Sequence, residues 1–523
     1  MSLEHELPIS RRRFVTATAA LAAGPLLVTP TGAYAQIANK INNRVPGGVF
    51  TLGVASGDPL PDGIVLWTRL APRPTEGGGM PDHAVTVQWQ VADDPLFRRL
   101  RCHGAAAARP ELAHSVHVEV RGLSPDTVYY YRFRAGGQIS RVGRTRTAPA
   151  AGAAPRNLRF AFASCQDWQS GYYSAYRHMA REDLDFVAFL GDYIYENARN
   201  PRTIRHYEGT GEPYTLYEYR NRHATHKTDP DLQAAHAAFG WIVTLDDHEV
   251  DNDWADMTPQ DPDLQSRAAF RARRIAAFRA YYEHMPLRRA SLPHGPDMQL
   301  YRRVRFGSLA EMHVLDTRQY RSDQPGNVRQ ANNPALTMTG ATQERWLVHG
   351  LRSSPARWNL LANQVMWAEN ARTAGLRPKF DFDDWDGYVA QRTRLQRFLG
   401  SGYVRNPVIL TGDRHSTFVC DLRPDFDDPS TPAVSAEITG TSITSGGDQD
   451  QAVFHEEYDP IMRESPHWRY IDNERGYVVC DVTPDTMVSS LRTVDTVWSA
   501  DATIRTKARF VIEADRPGIA AVE

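Results

Sequence analysis

The sequence predicts a layered α/β domain, with central sheets flanked by helices, that follows a small β-sandwich domain. Residues 46–148 hold short runs in which apolar and polar residues alternate, as in half-buried strands. From residue 157 the pattern changes to short apolar runs separated by helical segments. Phe160–Glu196 is a strand–helix–strand unit of this kind, and both of its strands end in residues that can hold a metal.

Length, charge and cysteine content narrow the function classes. A chain of 523 residues is long enough for two or more domains. The formal net charge of -2 argues against a general nucleic-acid or membrane-surface binder. Four cysteines do not make a disulfide scaffold. Cys420 and Cys480 lie in strand-like runs, where they could pair or stay as two buried thiols.

Residues 1–35 are predicted to be a targeting segment. The Arg11-Arg12 pair precedes a mildly apolar run, Ala17–Val28, which is too short and too weakly apolar to span a membrane. A small-x-small cleavage site, Ala33–Ala35, follows. We therefore expect export through the Tat machinery as a folded protein, with Gln36 near the mature N-terminus and no transmembrane span.

The segment 46–148 is predicted to be the sandwich. Val85–Val91 and Ser115–Val120 alternate, and the turn after Leu123 enters an aromatic strand as in fibronectin-like domains. Ala148–Pro155 is rich in small residues and is a natural linker. The α/β domain is therefore predicted over 156–515.

Within that domain, helices and strands alternate along the chain. Residues 197–229 show little periodicity and are predicted to be a surface excursion over a site, while 417–515 is predicted to be strand-rich. The remaining strands are predicted at 160–163, 186–190, 241–245, 299–306, 309–315, 358–362 and 407–410, and the helices at 171–181, 231–239, 264–282, 342–351 and 384–399.

Five of these apolar runs end in residues with metal-binding side chains. One carboxylate at a strand end is usually a helix cap, but five such endings in one domain are hard to explain by capping. Oxygen ligands dominate, which suits hard cations and ferric iron better than a tetrahedral zinc. A carboxylate that bridges two ions would give a two-metal site. The five endings are Cys165; Asp192 with Tyr195; Asp246, Asp247 and His248; Asn363; and Asp413 with His415.

These motifs resemble a known family. LGDYIYE at 190–196, DDHEVDNDW at 246–254 and TGDRH at 411–415 are similar to the boxes of calcineurin-like metallophosphoesterases. ASCQ at 163–166, LDTRQYRSDQ at 315–324, ANQV at 362–365 and FTLGVASGDP at 50–59 narrow the resemblance to PhoD-type alkaline phosphatases. The resemblance covers nearly everything after the signal segment.

The resemblance implies a ferric ion accompanied by calcium, with two calcium ions per iron. By matching position, Cys165 and Tyr195 would bind the iron and Asp192 would bridge iron and calcium. Asp247 and Asp413 stand where other metallophosphoesterases carry Asn and His, and both changes favour oxygen ligation as calcium requires. Asn363 and His415 would complete the shell.

Three further residues are candidates for the reaction itself. His248 is a candidate acid for the leaving oxygen, or alternatively a residue that orients a ligand. Arg318 and Arg414 could each hold phosphate oxygens in a bidentate pair, or form surface salt bridges.

The expected function is a secreted or periplasmic metal-dependent phosphoesterase that releases phosphate from monoesters or diesters. One alternative is a phospholipase D-like phosphodiesterase of the same family, and another is a non-catalytic surface- or sugar-binding protein. The expected partners are small phosphate esters, phospholipid or teichoic-acid-like diesters, and the Tat machinery.

Overall fold

The computed structural model describes residues 45–207, 209, 211–375 and 378–523. The predicted signal segment, 1–35, lies outside the described residues. In the part of the chain that is described, no helix is both long and apolar enough to cross a membrane.

Strands and helices are numbered along the chain. The strands are β1 Val54–Leu60, β2 Gly63–Arg69, β3 Val85–Ala92, β4 Leu100–Ala108, β5 Ser115–Arg121, β6 Val128–Ala135, β7 Gln138–Ile139, β8 Gly143–Arg146, β9 Leu158–Ala163, β10 Phe186–Phe189, β11 Gly240–Val243, β12 Arg302–Phe306, β13 Ala310–Val314, β14 Trp358–Ala362, β15 Pro407–Thr411, β16 Thr417–Leu422, β17 Ser435–Thr439, β18 Trp468–Asp472, β19 Gly476–Val482, β20 Thr486–Val494, β21 Ile504–Glu513 and β22 Arg516–Val522. The α-helices are α1 Ser174–Met179, α2 Leu216–Lys227, α3 Pro230–Ala238, α4 Arg267–His284, α5 Val328–Ala331, α6 Gly340–Ser353, α7 Val389–Leu399 and α8 Gln451–Glu464.

Two large sheets form the centre of the molecule. The first has ten strands in the order β22-β21-β20-β19-β9-β10-β11-β1-β2-β5, and the second has seven in the order β12-β13-β14-β15-β17-β16-β18. The run β9-β10-β11-β1 is parallel, as is the run β13-β14-β15-β17. The carboxyl ends of the strands in each run therefore lie at one edge of their sheet.

The two sheets pack face to face with helices on their outer sides. Phe186 of the first sheet stacks on Phe160 at 4.8 Å and on Phe306 of the second sheet at 4.6 Å. Side chains of α1, α3 and α4 share a core with the first sheet, and side chains of α6, α7 and α8 share one with the second. This arrangement confirms the predicted layered α/β fold preceded by a β-rich segment.

The N-terminal sandwich shares a sheet with the α/β part. Strands β3, β4, β6, β7 and β8 form a separate five-stranded sheet, whereas β1, β2 and β5 extend the ten-stranded sheet through the parallel pairing of β1 with β11. Ile64 and Leu66 on β2 pack in one core with Val87 and Tyr131 of the smaller sheet. The domain limits 46–148 and 156–515 stay a prediction, but one sheet runs across the boundary between them.

Three helices, α2, α5 and α8, were missed by the sequence analysis. The region 197–229, predicted to be a surface excursion, contains the buried helix α2. Its inward face carries polar side chains, including His223, His226 and Lys227, so it lacks the apolar period that marks a helix. In the tail, α8 carries Pro460 in its interior, a residue that argues against a helix from sequence.

The pairing considered for Cys420 and Cys480 is wrong. Both are free thiols, buried in different cores: Cys420 lies on the outer side of the seven-stranded sheet and Cys480 lies between the two sheets. The thiol of Cys480 lies 3.5 Å from the Ser489 hydroxyl.

Candidate metal centre

The predicted ligands follow strands β9, β10, β11, β14 and β15 and converge where the two sheets meet. Glycines permit this close approach. A Cβ on Gly412 would lie 2.8 Å from the Ser164 Cβ, and one on Gly191 would lie 2.4 Å from the Asp246 Cβ. Gly191 also has φ +117°, a backbone angle that residues with a side chain rarely adopt. The glycines that precede Asp192 and Asp413 are therefore steric requirements of the site.

Potential ligand atoms form overlapping groups at this edge. The first consists of Cys165, Asp192 and His415, with one ligand atom of each residue within 4.8 Å of the others. Asp192 recurs in a second group with Asp247 and His248, and in a third with Asp246, Asp247 and Asp413. Asp192 thus joins a sulfur- and imidazole-containing group to a carboxylate-rich one.

Tyr195 belongs to the first group. Its hydroxyl donates to Asp192 Oδ2 at 3.0 Å and lies 2.9 Å from His415 Nε2. Ser445, which the sequence analysis missed, donates its hydroxyl to the Tyr195 oxygen at 2.7 Å and to the Cys165 carbonyl at 2.8 Å. These contacts hold the phenol beside Asp192 and His415, and its role as an iron ligand stays a prediction.

Asn363 is buried near the others, but its side-chain amide is already hydrogen-bonded. Its Nδ2 donates to the Val365 carbonyl at 2.5 Å and to Thr411 Oγ1 at 3.1 Å. Its Oδ1 accepts from the Trp385 indole at 3.2 Å, which leaves that oxygen one lone pair. A ligand role for Asn363 stays a prediction.

The backbone at the ligands is strained. Cys165, Asp192, Asp413 and His415 have φ values of 58°, 57°, 61° and 56°, in the left-handed region that non-glycine residues seldom occupy. Such residues persist where the surroundings hold them in place, and they cluster at functional sites. Here Glu249 supplies part of that support. Its buried carboxylate accepts from the backbone N–H groups of Asp192, Tyr193 and Asp246 at 3.2, 2.5 and 2.8 Å.

The electrostatics of the site favour a bound cation. Burial and the neighbouring carboxylates raise the pKa values of Asp192 and Asp413 well above the ordinary value, although His248 opposes this at Asp192 and Arg318 at Asp413. Burial, Asp192 and Asp413 likewise raise the pKa of the Cys165 thiol. Among the described residues, no hydrogen-bond partner reaches Asp192 Oδ1 or Asp246 Oδ2, although both atoms are buried. Orphaned acceptors crowded by like charges are what a bound cation would satisfy.

Arg318 is buried among carboxylates rather than exposed to substrate. Its Nε donates to Asp246 Oδ1 at 2.5 Å, and its Nη2 lies 2.8 Å from Asp383 and 3.6 Å from Asp247. The alternative prediction of a surface salt bridge at Arg318 is therefore wrong, because the side chain is buried. The side chain forms ion pairs with acids of the candidate site, and the phosphate-binding role predicted for it stays a prediction.

Arg414 is the contrasting case. It is half-buried, and within the described part of the chain its guanidinium forms no ion pair; it lies 5.3 Å from the centre of the Phe418 ring. Of the two predicted phosphate-binding arginines, Arg414 is therefore the one whose charge is not already paired.

His248 lies beside the ligands and is oriented by Glu196, another residue the sequence analysis missed. Its Nδ1–H donates to Glu196 Oε2 at 2.7 Å, and its ring packs 4.1 Å from the Tyr195 ring centre. Burial lowers the pKa of His248, but Glu196, Asp247 and Asp192 outweigh it and raise that pKa well above the ordinary value. Glu196 therefore orients the ring through Nδ1 and does not contact Nε2, and the acid role of His248 stays a prediction.

Known families and proteins match this chain over most of its length. Residues 160–491 match the family model "PhoD-like phosphatase", and residues 36–149 match its "N-terminal domain" model. Alkaline phosphatase D of Bacillus subtilis (strain 168) is 47% identical over 522 residues, which is 97% of this chain and 88% of the relative. A solved structure described as that of PhoD is 49% identical, covers 90% of this chain and 91% of its own, and has a TM-score of 0.87.

Fold, site and relatives define a hydrolase of phosphate esters. The chain belongs to the PhoD-like phosphatase family. The predicted enzyme class is thereby confirmed, and the alternative of a non-catalytic binding protein is set aside.

Proposed function

We propose that the chain is an exported phosphoesterase whose activity depends on a ferric ion and calcium ions, and that it acts on phosphate diesters as well as monoesters. The observation that carries the metal assignment is the position of Asp192, which is shared by two kinds of ligand group and has one orphaned carboxylate oxygen.

The donor set fits the two metals differently. Cys165, Tyr195 and His415 supply sulfur, phenol and imidazole on one side of Asp192, a set that suits ferric iron. Asp246, Asp247 and Asp413 supply only oxygen on the other, which suits calcium. When bound, these ions neutralise the ester and activate a water molecule for attack on phosphorus.

The residues of the chain supply the remaining steps. His248, held by Glu196, donates a proton from Nε2 to the leaving oxygen. Arg414 binds non-bridging phosphate oxygens, because its guanidinium has no carboxylate partner in the described structure. Arg318 keeps Asp246 and Asp247 in place through its ion pairs.

Metal analysis of the purified enzyme tests the assignment. We expect iron and calcium, loss of phosphate release after chelation, and recovery only when both metals are returned. A ferric thiolate or phenolate should also absorb in the visible region. A colourless protein that is fully active with zinc alone would refute the metal assignment. Turnover of a chromogenic monoester, a chromogenic diester and a phospholipid would distinguish phosphatase, diesterase and phospholipase.

Export is tested separately. Changing Arg11 and Arg12 together to lysine should leave the precursor inside the cell, because the Tat exporter reads the arginine pair. Normal export of that variant would remove the Tat assignment without affecting the enzymatic one.

A further inference from the structure

A groove runs between α6 and α7 on the outer side of the seven-stranded sheet. It encloses about 640 Å³ and is separate from the metal centre. Val348, Leu395 and Phe398 form its apolar floor and pack on the core beneath, while Arg345, Arg352 and Arg394 stand along its walls. We call this feature the α6–α7 groove.

The groove is lined by three arginines and one carboxylate. Arg394 is paired with that carboxylate, Glu344, through two hydrogen bonds of 2.7 and 2.8 Å. Arg345 and Arg352 are exposed and have no carboxylate within 4.0 Å among the described residues; Arg345 donates to the Thr342 hydroxyl at 3.2 Å, and the Arg352 guanidinium lies 4.6 Å from the centre of the Tyr403 ring. Since the whole chain has a net charge of -2, this positive charge is a local concentration.

The arginines of α6 are spaced for an extended ligand. Arg345 and Arg352 are seven residues apart, so they lie on one face of the helix about 10.5 Å apart along its axis. His349 lies between them and also lines the groove. Two arginines on one helix face, spaced along a groove with an apolar floor, fit a linear ligand that carries negative charges at intervals. A membrane is flat and would rest on a convex face.

We propose that the α6–α7 groove binds a linear phosphate-bearing polyanion at a surface distinct from the metal centre. Guanidinium groups recognise phosphate oxygens through paired hydrogen bonds, and Arg345 and Arg352 do not use theirs on any carboxylate of the described structure. This binding does not depend on hydrolysis of the ligand, so it can be measured separately from the proposed catalytic function.

The test uses the metal-loaded enzyme with fluorescently labelled linear polyphosphate as the probe. Reversing both wall charges, Arg345→Glu with Arg352→Glu, should weaken binding about tenfold or more at low salt. Turnover of a small chromogenic ester should stay unchanged. The matched control is Arg98→Glu with Arg134→Glu, which makes the same change in charge at two exposed arginines of the N-terminal segment and should bind as the wild type does.

Three outcomes would overturn the proposal. Equal binding by the groove variant and the control would show that the groove is not the site. Binding that excess inorganic phosphate abolishes and that the groove variant retains would place the polymer at the metal centre. If the wild type instead binds phosphatidylglycerol vesicles but not polyphosphate, and the groove variant loses that binding, the face is a membrane contact.

Discussion

Asp192→Asn is the sharpest test of the metal centre. The third ligand group contains four carboxylates, from Asp192, Asp246, Asp247 and Asp413, which Arg318 offsets by one positive charge. The substitution therefore removes one of four negative charges at the position shared by both kinds of ligand. A unit charge about 4 Å from another contributes about 4 kcal/mol at an effective dielectric constant of about 20. Loss of one such interaction corresponds to roughly a thousandfold in rate, and a multivalent ion makes this a lower bound.

The assay pairs phosphate release with metal content. Turnover should fall about a thousandfold or more while at least one metal is lost or held weakly. Asp183→Asn, at an exposed aspartate that follows α1, is the control and should keep both activity and metals. If Asp192→Asn turned over at near the wild-type rate, the strand-end carboxylate would be only a helix cap, and the assignment of the site would be wrong at its centre.

The metal-free protein gives the same test a stability readout. Burial and neighbouring carboxylates raise the folded-state pKa of Asp246 to about 7, and burial raises that of Glu249 to about 8. A carboxylate with a raised folded pKa contributes stability below its unfolded pKa, and this contribution is lost as pH rises through the folded value. The free energy of unfolding without metal should therefore fall between about pH 4 and pH 8. Asp192→Asn should flatten that fall, because one repelling charge is gone; an equally steep fall would contradict the crowding argument.

Four further substitutions separate the roles of the surrounding residues. Cys165→Ser should lose iron and the visible absorption while keeping most of its calcium, because a hydroxyl is a poorer iron ligand; unchanged iron content would exclude Cys165 as a ligand. Glu196→Gln removes the negative charge that favours protonated His248. Turnover should therefore fall about 10- to 100-fold for esters with poor leaving groups and much less for p-nitrophenyl esters, whose leaving group needs no proton. Equal losses for both kinds of ester would argue against an acid role. Arg318→Met should destabilise the protein by about 3–5 kcal/mol in chemical unfolding, because it leaves the buried Asp246 without its ion-pair partner, whereas Asp383 keeps Arg321. Arg414→Met should change stability little and raise KM, and similar effects from the two substitutions would refute the contrast.

Much of the fold could be predicted because strand ends and turns are local signals. The strand at 358–362 has the predicted bounds, and β9, β10, β11 and β15 differ from prediction by one or two residues at an end. Helix α2 could not be recognised because its buried face is polar, and burial of His223 and Lys227 depends on partners far away in sequence. For the same reason, the sequence does not reveal that β1 pairs with β11 across a predicted domain boundary.

In the site, too, residues that belong to local sequence motifs could be predicted, and residues that are brought in by distant packing could not. Motifs at strand ends pointed to Cys165, Asp192, Asp247 and Asp413 as candidate ligands, and the structure brings their side chains together, because the carboxyl ends of parallel strands lie at one edge of a sheet. Asp383 and Ser445 come from loops without such a strand-end signal, and only the packing of the two sheets brings them to the centre. For Arg318 the sequence left open a phosphate-binding role and a surface salt bridge. The surface position is wrong because the side chain is buried against Asp246 and Asp383, acids that lie far from it in the chain, and the phosphate-binding role stays a prediction.

Several candidate ligands have a left-handed backbone conformation, and this explains the roles of the glycines and of the buried Glu249 beside them. A residue directly after a strand would normally continue the extended path and place its side chain on a sheet face. A positive φ at Cys165, Asp192 and Asp413 bends the chain at that point, at a cost of order 1–3 kcal/mol for each residue. Gly191 and Gly412 let the neighbouring loops come close enough to share ligands, and Glu249 ties two of those loops together through three N–H groups. Glycine in place of Asp192 would remove the strain but also the carboxylate, so a strained aspartate at this position is what the proposed ligand role requires.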